Sequence, residues 1–181
     1  VIWDISWHET IGRDTFWTPA HLAIYLGGIV SGFACGGHVL WLSFAAPPER
    51  RASAVRFWRW FYGPLGAWIC IWGSLAMITS APFDDWWHNA YGLDVEILSP
   101  PHVVLLSGIL AIQVGAMITV LARQIRVPDD RTLPWIYAYT AGLLLLLVDT
   151  AATEFLSRPN RWHGQEFYTV SALLLPLLLV G

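Results

Sequence analysis

Two segments of this 181-residue chain carry acidic and imidazole side chains in the same order. Asp4 precedes His8 by four positions, and His21 follows; Asp84 precedes His88 by four, and His102 follows. An Asp and a His at i and i+4 share one helix face, so both reach the same point. Thr18-Pro19 and Ser99-Pro100 then read as an N-cap with a first-turn proline, which places His21 and His102 in the first turn of new helices. Each copy gathers one carboxylate and two imidazoles. That is a complete protein ligand set for copper, zinc, manganese or non-haem iron, with positions left open. A metal-free proton relay is the alternative chemistry of the same groups.

At an offset of 80, Asp4 meets Asp84, Trp7 meets Trp87, His8 meets His88 and Asp14 meets Asp94, which defines an internal repeat, 3–28 against 83–108. Each copy reads as a helix end, a short loop and a helix start. The elements that must position them are membrane spans. Hydrophobic residues make up 56% and charged residues 13%, with mean hydropathy +0.52. A soluble domain carries about 25% charged residues. This composition excludes a soluble globular enzyme and a disordered tail, and a net charge of −3 excludes a nucleic-acid binder. Twelve tryptophans fit a chain that meets a wet interface along apolar bodies.

Four runs are long enough to span, roughly 19–46, 57–81, 100–125 and 133–156, and a partial fifth starts near Phe167. The expected fold is all-α, a polytopic transmembrane helix bundle forming one domain over 1–181. The chain opens without Met and ends inside an apolar run, which reads as a piece of a longer protein. The connecting segments divide by charge. One side carries Arg50, Arg51, Arg56, Arg59, Arg123, Arg126 and Arg131 against three acids, while nine acids and five of the six histidines gather on the other. The positive-inside rule places the arginine-rich side in the cytoplasm and the acid–histidine side toward the periplasm or exterior, as in a bacterial inner membrane.

The first segment closely resembles the C subunit of copper membrane monooxygenases, the particulate methane and ammonia monooxygenase family. The family signature, Asp-x3-His-x4-Arg-Asp-Thr-x-aromatic-Thr-Pro-x-His, is filled here by Asp4, His8, Arg13, Asp14, Thr15, Trp17, Thr18, Pro19 and His21. The second segment is similar to that subunit's other metal-binding stretch, with Asp84 standing where the family has Asn, followed by His88 and His102. The matching stretches cover roughly 40 residues. The resemblance implies one copper site at Asp4, His8 and His21 and a neighbouring one at Asp84, His88 and His102. It implies a subunit of a hetero-oligomer that oxidises a small apolar or ammonia-like substrate with O2, in contact with membrane lipid and other membrane subunits. The anionic Asp84 favours a harder or more oxidised ion, and zinc or iron stays open beside copper. A non-catalytic copper-binding or scaffold subunit of a larger respiratory or photosynthetic membrane complex is the rival reading. A zinc site or proton relay in a transporter is a third.

Arg13, Asp14, Asp94, Asp149, Glu154 and His163 are candidates for outer contacts to the ligands or for a proton path. His38 is alone at mid-span and makes no bis-His haem site. Gly27, Gly28, Gly32, Gly36 and Gly37 read as a close helix-packing face. Cys35 and Cys70 lie in apolar runs, read as small core residues, and exclude a disulfide framework.

Overall fold

A computed structural model describes residues 2–11, 17–92 and 99–156, the side chains of residues 8, 9 and 152–156 excepted. Its elements are α1 (Ile2–Ile11), α2 (Pro19–Phe44), α3 (Pro48–Arg51), β1 (Val55–Phe57), β2 (Phe61–Gly63), α4 (Leu65–Tyr91), α5 (Pro100–Arg126) and α6 (Leu133–Leu156). The fold is all-α apart from the small β1–β2 hairpin. The helices α2, α4, α5 and α6 are each long and apolar enough to cross a membrane, and the chain is an integral membrane protein. The partial fifth span lies outside the described residues.

The second span differs from its expected bounds at both ends. Phe57 to Tyr62 enter the antiparallel hairpin, with Val55 opposite Gly63 and Phe57 opposite Phe61, so α4 starts only after Pro64. At the far end α4 continues through Pro82 to Tyr91. Proline lacks an N–H, but spanning helices tolerate it in their interior. The continuation is lined by ring contacts: Phe83 stacks on Trp86 at 6.0 Å, and Trp87 meets Tyr91 at 4.4 Å with the rings tilted by 39°. Gly92 ends the helix with φ +92°, a left-handed conformation that side chains resist.

The chain divides into two compact units, Val1–Thr140 and Ala141–Gly181. In the first, α4 and α5 are antiparallel and in backbone contact. A Cβ at Gly73 would lie 2.7 Å from the Gly108 carbonyl, and one at Gly115 would lie 2.6 Å from both Cys70 Sγ and the Gly66 carbonyl. Lipid gives helices little hydrophobic reason to associate, so such close approach supplies the dispersion contacts that hold them. The α2 glycines divide. Gly28 and Gly32 face Met77 and Ser74 of α4, whereas Gly27, Gly36 and Gly37 meet nothing within 4 Å among the described residues. The expected five-glycine packing face is thus a two-glycine one, and the tighter seam is α4–α5. In the second unit the described residues are the continuation of α6, where Asp149 is exposed.

Candidate metal centre

Antiparallel packing of α2 on α4 and of α4 on α5 brings the start of α2, the end of α4 and the start of α5 to one end of the first unit. The acid–histidine residues with described side chains stand there. Thr18 and Ser99 begin α2 and α5 with extended backbone (ψ 149° and 154°), followed by Pro19 and Pro100 as expected. Their carbonyls accept from Leu22 N at 2.9 Å and Val103 N at 3.0 Å. Neither hydroxyl caps its helix, contrary to the usual N-cap role. Ser99 Oγ instead lies 3.0 Å from His102 Nδ1.

That contact sets which nitrogen His102 presents inward. With Nδ1 on Ser99, His102 Nε2 stands 3.6 Å from Asp84 Oδ1. His88 is arranged alike: Nδ1 lies 3.4 Å from the Gly92 carbonyl, and Nε2 stands 3.3 Å from the same Asp84 oxygen. Asp84 Oδ1 is buried and accepts no hydrogen bond within the described structure. Two imidazole nitrogens from two helices therefore converge on one buried carboxylate oxygen, each held from behind through its other nitrogen. Tetrahedral ligands at about 2.0–2.2 Å from an ion stand roughly 3.3–3.6 Å from one another, the spacing seen here between Asp84 Oδ1 and each Nε2. The donor set, one anionic oxygen and two neutral nitrogens, fits copper or zinc. Among the described residues, however, no three His, Cys, Asp or Glu side chains close around a point that an ion could occupy.

The first copy shows the equivalent long-range pair. His21 Nε2 stands 3.1 Å from Asp4 Oδ1, with both side chains 19% exposed. His8 lies on α1, one turn after Asp4, but its side chain is outside the described part. Trp3 and Trp7 pack edge to face on the same helix at 6.5 Å. A cavity of about 220 Å3 lies deeper, lined by Trp3, Ala20, Ala23, Ile24, Gly27, Met77 and Ile109. Met77 precedes Asp84 by seven residues and Ile109 follows His102 by seven, so the cavity sits roughly 10 Å along the helices from the second acid–histidine group.

Arg13, Asp14, Asp94 and His163 lie outside the described residues, as does the side chain of Glu154. His38 is exposed beside Trp41, with ring centroids 6.0 Å apart, far along α2 from His21. Sequence reasoning missed the Ser99 and Gly92 contacts. A Ser three positions before a His at a helix start was the available signal for the first; the second needs the left-handed Gly92 backbone. Comparison with known proteins finds no matching family model, no matching curated protein and no matching solved structure.

Proposed function

We propose that this chain is a copper-binding membrane subunit of a monooxygenase-like complex that oxidises a small apolar or ammonia-like substrate with O2. The observation that carries the reading is the buried Asp84 oxygen facing the Nε2 atoms of His88 and His102. The resemblance of the Asp4–His21 stretch to copper monooxygenase C subunits supports it, and so does the Asp4–His21 pair. Asp84, His88 and His102 would hold one ion, and Asp4, His8 and His21 a second. Copper bound there would supply one-electron redox chemistry. The protein's own contribution is to orient the imidazoles through Ser99 and Gly92 and to keep the surroundings apolar, with the cavity beneath Trp3 suited to a small apolar molecule. The acid–histidine end faces the periplasm or exterior and the arginine-rich end the cytoplasm of a bacterial inner membrane, on the charge asymmetry alone. Partner membrane subunits complete the complex.

The rival is a non-catalytic copper-binding or scaffold subunit of a larger membrane assembly. Metal analysis of the purified protein separates these readings from a metal-free relay. Copper bound to the parent and lost from a His88→Ala/His102→Ala variant supports a metal centre, and equal metal in both discards the second site. Copper-dependent substrate oxidation by the assembled complex, lost in the same variant, separates enzyme from scaffold.

A further inference from the structure

The opposite end of the bundle carries a second organised group, independent of the metal reading. Between α2 and α4 the chain places Arg50, Arg51, Arg56 and Arg59 against Glu49 alone. Among the described residues none of these guanidiniums pairs with a carboxylate, since the ion pairs there are histidine–aspartate ones. Yet two of them are fixed. Arg51 donates from Nε to the Leu42 carbonyl at 3.1 Å and from Nη2 to the Ala46 carbonyl at 3.0 Å, closing the end of α2. Arg56 donates from Nε and Nη2 to the Arg59 carbonyl at 3.1 and 2.9 Å, closing the hairpin.

Both fixed guanidiniums lie over one ring, each 5.8 Å from the centre of Tyr62. Each keeps N–H donors that no described residue uses, and among the described residues their like charges are brought together without an anion. The hairpin tip between them and the surroundings is aromatic. Trp58 is 74% exposed and Trp60 67% exposed, and the backbone holds Trp58 and Arg59 at φ 45° and 68°, a left-handed conformation that costs side-chain-bearing residues energy. Exposed tryptophan beside arginine is the composition of the headgroup layer, where a ring meets acyl chain and a guanidinium meets phosphate. The hairpin follows the end of one span and precedes the start of the next, so it stands at that depth.

We propose that the Arg51–Tyr62–Arg56 group, flanked by Trp58 and Arg59, is a binding site for the headgroup of an acidic phospholipid. The phosphate diester accepts from the unused guanidinium N–H groups, the net negative headgroup supplies the missing counter-charge, and Trp58 and Trp60 lie against the upper acyl carbons. A zwitterionic lipid offers the phosphate together with a cation and leaves the arginine charge uncompensated.

The full chain in non-ionic detergent, titrated with phosphatidylglycerol or with phosphatidylcholine of the same acyl chains, tests this by native mass spectrometry of retained lipid. Phosphatidylglycerol is expected to be retained in preference, and Arg56→Gln to lower that retention about fivefold, the worth of one basic side chain at an anionic surface. Arg59→Gln removes a guanidinium that makes no hydrogen bond among the described residues, where only the Arg59 carbonyl is engaged, and is expected to act the same way even if Arg56→Gln fails to fold. Arg126→Gln, at the end of α5, is expected to change nothing. Equal retention of the two lipids overturns the proposal, as does a loss in Arg126→Gln equal to that in Arg59→Gln. Displacement of the lipid by excess inorganic phosphate assigns the arginines to free phosphate and also overturns it.

Discussion

His21 Nε2 stands 3.1 Å from Asp4 Oδ1, so the first turn of α2 holds a carboxylate that belongs to a separate helix. Both side chains are largely shielded, which makes the contact worth more than an exposed ion pair. It is a direct tie between α1 and the spanning helices. Asp4→Asn is therefore expected to weaken the docking of α1 by about 1–3 kcal/mol. Hydrogen exchange checks this: amides of residues 2–11 should exchange faster while those of α4 and α5 keep their protection. Unchanged exchange in α1 would show that its apolar contacts alone hold it.

Ser99 touches His102 Nδ1 and makes no cap bond to its own helix. Ser99→Ala should thus leave α5 intact while freeing the imidazole to rotate. The expected result is a loss of about 10- to 100-fold in metal affinity at the second site. Competition against a chelator reads the affinity, and circular dichroism reads the helix.

Much of this was legible in the chain. Four spans followed from the length of apolar runs, and Asp84 with His88 followed from spacing alone, because i and i+4 share a face wherever a helix forms. His102 required more: its approach to Asp84 depends on α5 lying against α4, a tertiary fact. The apolar run misled at Ala81, because α4 continues through Pro82 and the charged Asp84–Asp85 pair, so hydropathy marks where the run ends and not where the helix does. The packing face misled for a related reason. Glycines are densest on α2, but density does not say which neighbour a face will meet, and the closest backbone approach fell to Gly66, Gly73, Gly108 and Gly115 instead.

That difference is measurable. A methyl group at Gly73 would meet the Gly108 carbonyl at 2.7 Å and the Ile112 nitrogen at 2.9 Å, both backbone atoms that cannot move alone. Gly73→Ala is expected to destabilise the α4–α5 pair by about 1–3 kcal/mol. Gly36→Ala meets open space in the middle of a helix and is expected to be neutral or to stabilise by up to about 1 kcal/mol. Unfolding in mixed micelles with increasing dodecyl sulfate compares the two. Equal effects would remove the seam as the site of tightest packing.

The loop between α5 and α6 has a pH dependence of its own. Asp130 Oδ1 accepts from Thr132 Oγ1 at 2.6 Å and from Thr132 N at 3.0 Å, which holds its carboxyl below the usual aspartate range. A folded value below the unfolded one means that the carboxylate stabilises the loop above the ordinary Asp pKa. That stabilisation is lost as pH falls through the lowered folded value. Thr132→Val removes the hydroxyl, so the titration of Asp130 should move up toward the ordinary range. Carboxyl carbon shifts followed by NMR between neutral and acidic pH check the direction.

Asp84 offers the sharpest separation of the readings for the metal centre. Its Oδ1 accepts no hydrogen bond in the described structure, so Asp84→Asn removes a charge with little cost to the fold. As an anionic ligand it should matter most for the harder ion. Copper(II) affinity is expected to fall about tenfold or more, and copper(I) affinity much less, because a neutral amide oxygen is a poor partner for the divalent ion while the two imidazoles suit both. Titration against chelators under oxidising and reducing conditions reads both states. Equal loss for both ions would mean that Asp84 orients the histidines without touching the metal. No binding in the parent would leave the carboxylate and its imidazoles as a relay for protons.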